Sequence, residues 1–184
     1  MSDWMETHTG RAAYPLQPET AADWLDIEDI AHALGMVCRY GGHITRFYSV
    51  AEHSVLLSGV FSDPGIALWA LLHDSAEAYL GDVIRPLKQA MPGYRATEDR
   101  LLQAIARWAD LPDPDAGIPE MVKDADTRVM VDERAAVKPP GCLTWITDDL
   151  PPLGVIVTGW APAEAKDRFL DRYADLMLIV AGSA

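Results

Sequence analysis

A histidine and an aspartate stand side by side inside an apolar segment, at His73 and Asp74. A charged residue in such a segment normally destabilises a fold unless it has a strong partner. A metal ion would be such a partner, although a hydrogen-bonded core histidine beside an ion-paired aspartate is the ordinary alternative. His53 and Asp126 can complete a set of two nitrogen and two oxygen ligands. That set suits a catalytic divalent ion, and Zn, Co, Mn and Fe(II) all accept it.

The placement of Asp126 follows from the periodicity of its helix, which we predict over residues 119–137. Val122 and Val129 belong to the apolar stripe of that helix. At about 100° per residue, Asp126 lies about 40° from Val122 and about 60° from Val129, on the buried side. Asp124 lies about 160° from Val122, so we expect it to face solvent.

Two further carboxylates stand where they can move protons beside such a metal. Glu77 follows Asp74 by three residues, so the two side chains share one helix face. Asp82 comes just after the predicted end of the same helix. Each can act as a general acid or base. Each also has a structural alternative, because Glu77 can orient His73 from outside the ligand set and Asp82 can cap a loop.

Basic and aromatic residues near these elements are candidates for substrate contacts. Arg39 and Lys88 lie in predicted loops, and phosphate oxygens need donors of this kind. For any one of them, a surface charge is the ordinary alternative. Trp24 and Tyr40 can stack on a nucleobase, although packing against the protein itself is the simpler expectation for each.

Composition limits the class of partner. The chain has 184 residues, 49% of them hydrophobic and 23% charged, which is typical of a globular domain with a sizeable core. Its net charge of −13 disfavours nucleic acids and anionic membranes, whereas a small phosphorylated substrate stays compatible with a local metal. With two cysteines, Cys38 and Cys142, no signal-peptide pattern and no long apolar run, we expect a cytoplasmic protein.

The apolar periodicity predicts an all-α protein of about six helices in a single domain over residues 1–184. A short β-hairpin or an ordered loop is expected near residues 36–48, around Gly41-Gly42. Exposed apolar residues on the C-terminal helix, predicted over residues 161–180, indicate a homo-oligomer. The predicted helices begin at Asp26 and Ser49 and span about 66–80, 94–110, 119–137 and 161–180.

Four motifs, in this order, resemble the HD-domain metal-dependent phosphohydrolases, in the branch that contains the bacterial 5′-deoxynucleotidases. They are Glu52-His53-Ser54, Leu71-Leu72-His73-Asp74-Ser75-Ala76-Glu77, Gly81-Asp82 with Pro86-Leu87-Lys88, and Lys123-Asp124-Ala125-Asp126. The resemblance covers about residues 26–137 and implies an HD-domain helical bundle. It implies that the two histidines with Asp74 and Asp126 bind the metal, and that Glu77 and Asp82 hold acid/base or water-positioning roles.

A longer stretch, residues 26–54, resembles small phage-type HD hydrolases, which include dATP triphosphohydrolases. This resemblance favours hydrolysis of a deoxynucleoside triphosphate, such as dATP, to deoxynucleoside and triphosphate. A 5′-deoxynucleotidase acting on monophosphates is the alternative. Arg39 sits where the deoxynucleotidases carry a phosphate-binding Arg followed by Trp, and Tyr40 replaces that Trp here, so the base and sugar contacts stay open.

Two other readings have less support. One is a phosphodiesterase or a guanosine-tetraphosphate hydrolase; a second metal would favour the phosphodiesterase, and the chain has no obvious additional histidine cluster. A non-catalytic, metal-binding regulatory protein would have no use for the spare carboxylates of Glu77 and Asp82.

Overall fold

The fold is built from helices joined by short turns. A computed structural model describes residues 3–112, 117–141 and 143–182. The described residues contain eight α-helices: α1 (Ile27–Met36), α2 (Val50–Ser58), α3 (Pro64–Leu72), α4 (Glu77–Leu80), α5 (Arg85–Ala90), α6 (Pro92–Trp108), α7 (Ile118–Val137) and α8 (Pro162–Gly182). The predicted all-α class is confirmed, with more helices than the six expected. The helix expected over residues 66–80 is split into α3 and α4, and the segment that carries Lys88, expected to be a loop, forms α5.

Side-chain caps begin three of these helices. The Asp26 carboxylate accepts the backbone N–H of Glu28 at 2.9 Å at the start of α1. Ser49 accepts the N–H of Glu52 at 3.1 Å at the start of α2, and Asp63 caps α3 in the same way. Because the first N–H groups of a helix have no partner within it, such caps set where it begins. The predicted starts at Asp26 and Ser49 are therefore confirmed.

The helix expected over residues 66–80 is interrupted at the His-Asp pair. The α-helix α3 ends at Leu72, and the chain continues with tighter hydrogen bonds, from Ser75 N–H to the Leu72 carbonyl and from Glu77 N–H to the Asp74 carbonyl. These bonds span three residues rather than four, so the backbone is wound more tightly there than in an α-helix. The short helix α4 then ends at Gly81, whose φ of 80° suits glycine.

The core forms where α8 packs against α1, α2 and α3. A methyl group at Gly35 of α1 would lie 2.9 Å from the Pro162 carbonyl oxygen, so the two helices cross closely at a residue without a side chain. On the other side of α3, α7 packs against α3 and α2. Six of the fully or nearly fully buried side chains in this core are Ile30, Leu34, Leu68, Leu71, Phe169 and Leu176.

For residues 36–48, the structure has the ordered loop and not the hairpin. Tyr40 and Gly41 both have a φ of 59°, in a short 3₁₀ turn over Arg39–Gly42. That left-handed pair turns the chain before strands can form, and an isolated bridge between Cys38 and Ser49 closes the loop. The paired strands lie instead near the N-terminus, where β1 (Met5–Glu6) runs antiparallel to β2 (Ala12–Ala13).

Two smaller points complete the fold. None of the helices in the described residues is long and apolar enough to cross a membrane. Cys38 is a half-buried free thiol, whereas Cys142 lies outside the described residues.

Candidate metal centre

Four side chains converge where α2, the end of α3 and α7 meet. His53, His73 and Asp126 bring three ligand atoms within 4.8 Å of one another. His53 Nε2 lies 3.3 Å from His73 Nε2 and 3.2 Å from Asp126 Oδ1. Asp74 joins them, with Oδ2 at 3.1 Å from His73 Nε2 and 3.7 Å from His53 Nε2. The four residues that the sequence suggested as metal ligands are thus neighbours in the fold.

Both imidazoles have their other nitrogen turned toward an acceptor. His53 Nδ1 lies 2.5 Å from Glu133 Oε1, and His73 Nδ1 lies 2.8 Å from the carbonyl oxygen of Ala70. When Nδ1 carries the proton for these bonds, each Nε2 presents a lone pair to the cluster. Two lone pairs 3.3 Å apart repel unless a cation or a proton lies between them. The donor set therefore fits a borderline divalent cation.

The charges in the cluster support the same conclusion. Burial alone would lower the pKa of His73, but the carboxylates of Asp74 and Asp126 raise it to about 9. Burial would raise the pKa of Asp126, but the hydrogen bond and charge of His53 hold that pKa below its usual range. The carboxylates thus keep a strong preference for positive charge at the point where the imidazole nitrogens meet.

Glu133 of α7 is a functional residue that the sequence reasoning missed. Its side chain is fully buried and accepts hydrogen bonds from Tyr48 Oη at 2.7 Å, Arg39 Nη2 at 3.2 Å, the Tyr40 hydroxyl and His53 Nδ1. Burial would raise the pKa of Glu133, but the charges of Arg39 and His53 hold it well below its usual range. A carboxylate on the far nitrogen of a metal-ligating histidine orients the ring and raises its basicity.

One signal for Glu133 was present in the sequence. It follows Asp126 by seven residues, and two turns of helix bring a residue back to nearly the same face. Glu133 continues the apolar stripe of Val122 and Val129. A glutamate at such a position needs a buried partner as much as Asp126 does.

Arg39 and Tyr40 lie beside the cluster with their polar ends turned inward. Arg39 Nη1 is 3.4 Å from Asp74 Oδ2, and Nη2 binds Glu133. Arg39 Nε is buried with no hydrogen-bond partner among the described residues. The guanidinium is therefore next to the proposed ligands but already paired with two carboxylates, and its role as a phosphate contact stays a prediction.

Lys88 contacts Glu77, one of the two expected acid/base residues. Lys88 Nζ lies 2.8 Å from Glu77 Oε1 and 2.6 Å from Glu98 Oε1. Burial raises the pKa of Glu77 to about 9, with help from the charges of Asp74 and Asp82, while Lys88 opposes the shift. Burial also raises the pKa of Asp82. The charge of Arg39 opposes this shift, whereas the charge of Asp74 adds to it. Both carboxylates therefore lie within the electrostatic reach of the cluster.

Trp24 is not part of this site. Its side chain is 3% exposed, its indole N–H donates to Thr20 Oγ1 at 3.0 Å, and its ring meets that of Tyr79 edge to face at 5.1 Å. The suggestion that Trp24 contacts a base is wrong, because a ring buried in the core has no face to offer a substrate.

A second buried glutamate, Glu52, fixes the helix that carries His53. Its carboxylate accepts the backbone N–H groups of Thr158, Gly159 and Trp160, at 2.8, 2.9 and 2.6 Å. A methyl group at Gly159 would lie 2.8 Å from the Phe47 carbonyl oxygen, so that position needs glycine. The segment before α8 is thus tied to α2, one residue from a proposed metal ligand.

Fold and site together define a mostly helical protein with a cluster of two histidines and two aspartates, of which His53 is buried and the other three are half-buried. No family model matches the chain. The chain belongs to the family of the uncharacterized protein YfdR of Escherichia coli strain K12, with 33% identity over 175 residues, 94% of this chain and 95% of YfdR. It is also 43% identical over 134 residues, 67% of each chain, to the uncharacterized protein RCAP_rcc00048 of Rhodobacter capsulatus.

Proposed function

We propose that the protein is a metal-dependent hydrolase of deoxynucleotide 5′-phosphates, of the HD-domain type. The observation that carries the proposal is the cluster in which His53, His73 and Asp126 bring ligand atoms within 4.8 Å of one another and Asp74 lies 3.1 Å from His73. The choice of a phosphorylated deoxynucleoside as substrate rests on the resemblance of the sequence motifs to that family.

The chain supplies separate groups for each part of such a reaction. A divalent cation held by the cluster would act as a Lewis acid toward a phosphoryl oxygen and would lower the pKa of water. Glu77 offers Oε2, a buried oxygen without a partner among the described residues, to hold or accept a proton. Lys88 binds Oε1 of the same carboxylate at 2.8 Å and so fixes the direction in which Oε2 points.

Binding of phosphate would require an exchange of partners. Arg39 contacts the proposed ligand Asp74 and Lys88 contacts Glu77, so both basic side chains are already paired with carboxylates of the protein. A substrate phosphate would have to take the place of one such carboxylate. A substrate that binds in this way is selected for its ability to accept the same donors in the same geometry.

Two substrates fit this chemistry, and different observations favour them. The resemblance to phage-type hydrolases favours a triphosphate such as dATP, cleaved to deoxynucleoside and triphosphate. The ion pairs of Arg39 and Lys88 favour a monophosphate, because two cations already facing Glu77, Glu98 and Glu133 balance less added charge. We propose the triphosphohydrolase first and the 5′-deoxynucleotidase second.

Product analysis tests the proposal. The purified protein is incubated with Mn²⁺ or Co²⁺ and each dNTP and dNMP in turn, and the products are separated by ion exchange. Asp126→Ala is expected to reduce both turnover and metal retention to background. Asp124→Ala is the matched control, because Asp124 is exposed two residues away on the same helix, and it should retain both.

The products decide among the alternatives. Deoxynucleoside with intact triphosphate identifies the triphosphohydrolase, and phosphate released from dNMPs alone identifies the nucleotidase. Absence of turnover with every nucleotide, while Asp126→Ala still loses a metal that the unchanged protein binds, would replace the enzyme by a non-catalytic metal-binding protein.

We also propose that copies of the chain associate in the cytoplasm. Leu178 and Ile179 on α8 are 75% and 52% exposed, and adjoining large apolar side chains on the surface of a long helix are typical of a contact between copies. Light scattering after size exclusion, with Leu178→Glu as the variant, tests the association.

A further inference from the structure

Two aromatic rings and two cations meet where α7 ends. The ring centroids of Tyr40 and Trp145 are 5.8 Å apart, with their planes inclined by 46°. Lys138 Nζ lies 4.6 Å from the centroid of Tyr40 and 5.3 Å from that of Trp145. Arg134 Cζ lies 5.0 Å from the Trp145 ring. Both aromatic side chains are only half-buried, so part of each ring stays open.

Hydrogen bonds hold these groups in place. The backbone N–H of Trp145 donates to Asp148 Oδ2 at 2.8 Å, and the same carboxylate pairs with Arg134. Lys138 Nζ donates to the carbonyl oxygen of His43 at 3.0 Å. A surface depression of about 440 Å³ opens beside the two cations, lined in part by Arg134, Lys138 and Asp148. The rings and cations are therefore preorganised at an accessible place.

One carboxylate connects this group to the metal centre. The Tyr40 hydroxyl and His53 Nδ1 both bind Glu133, so the Tyr40 ring begins one carboxylate away from a proposed metal ligand. A planar heteroaromatic ring with acceptor atoms suits this arrangement, because it can stack on an indole while its acceptors receive hydrogen bonds from the nearby cations. A nucleotide whose phosphate lies at the metal has such a base on the other side of its sugar.

We propose that Trp145 and Lys138, with the open edge of Tyr40, form the subsite that holds the nucleobase of the substrate. This inference rests on the proposed function, because it assigns a place to one half of the proposed substrate. Trp145 supplies the stacking face, and Lys138 holds the two rings together and adds positive charge. Trp145 and Lys138 lie outside residues 26–137, where the motifs of the resemblance are found.

The test separates the base from the phosphate. KM and kcat are measured for whichever of dATP and dAMP is hydrolysed, and 2-deoxyribose 5-phosphate serves as a base-free inhibitor. Trp145→Ala is expected to raise KM about tenfold through loss of the stack, with the inhibition constant of the sugar phosphate unchanged. Trp145→Phe should recover most of the loss. Trp4→Ala, at an exposed tryptophan beside β1, is the matched control and should behave as the unchanged protein.

Two results would overturn the subsite. The first is an unchanged KM in Trp145→Ala. The second is a joint rise of KM and of the inhibition constant of the sugar phosphate, as a structural defect predicts. If the unchanged protein hydrolyses neither nucleotide, the proposed function fails and calorimetry with deoxyadenosine and Mn²⁺ decides the subsite. Tenfold weaker binding by Trp145→Ala would support the subsite, whereas equal binding or no binding by the unchanged protein would refute it.

Discussion

Glu52 and Glu133 are both fully buried beside His53. They differ in the groups that donate hydrogen bonds to them. Glu52 receives three backbone N–H groups from residues 158–160. Glu133 receives side-chain donors, among them the guanidinium of Arg39 and the far nitrogen of His53. Backbone donors tie one stretch of chain to another, whereas side-chain donors are the groups that bind and react. The donors, more than burial itself, separate a structural carboxylate from one that tunes a site.

The largest expected effect comes from Glu133→Gln. Loss of this charge leaves Arg39 and His53 facing a neutral amide, so affinity for Mn²⁺ should fall about 10–100-fold. Without metal, breaking the buried ion pair should lower the free energy of unfolding by about 3–5 kcal/mol. Isothermal titration with Mn²⁺ and urea unfolding measure the two effects. Unchanged metal affinity in a folded variant would remove Glu133 from the metal centre.

A second effect depends on pH and belongs to the cluster side of the comparison. The pKa of His73 is about 9 in the folded protein and about 6.5 when unfolded. Its protonation therefore stabilises the metal-free protein fully below pH 6.5, and this stabilisation is lost as the pH rises through about 9. The difference amounts to about 3 kcal/mol.

Urea unfolding with a chelator present, at pH 6, 7.5 and 9, measures this loss. His73→Gln should remove the part of the slope that His73 contributes and leave the part that the raised pKa of Glu77 contributes. Glu52→Gln should keep the whole slope because the donors to Glu52 are backbone amides. A profile that is already flat in the unchanged protein would contradict the assignment of the proton to His73.

The smallest expected effect comes from Glu52→Gln. The amide that replaces one carboxylate oxygen turns a donor toward a backbone N–H, which leaves that N–H without an acceptor. The free energy of unfolding should fall by about 1–3 kcal/mol. Metal affinity should change by less than threefold, which is small beside the 10–100-fold loss expected for Glu133→Gln. A loss of affinity equal to that of Glu133→Gln would end the distinction between the two glutamates.

Residue type together with helix phase was enough to predict that Asp126 lies on the side of α7 that faces the candidate metal centre. Asp126 and Asp124 have the same chemistry, and the angle to Val122 alone placed the first inward and the second in solvent, as the structure has them. The start of α2 at Ser49 followed from a local capping pattern that needs no tertiary information. Signals of this kind survive because they lie within one or two helical turns.

What the sequence could not supply depends on contacts between distant segments. Glu133 accepts hydrogen bonds from Arg39 and Tyr48, which lie 94 and 85 residues earlier in the chain. Trp24 could be a surface or a core residue until its neighbours were known. The sequence of residues 36–48 is compatible with a hairpin and with an ordered loop, because a double glycine permits many turns. The left-handed backbone of Tyr40 belongs to the ordered loop that the structure shows.

The hydrogen bonds that residues 158–160 donate to Glu52 affect how the chain folds during synthesis. Helix α2 emerges from the ribosome long before Thr158 and Trp160, which lie 106 and 108 residues after Glu52. Until they arrive, the nascent chain cannot bury that carboxylate, since an unpaired buried charge strongly opposes folding. The segment bearing His53 must then stay open to water while about a hundred further residues are made. Residues 158–160 are what close it.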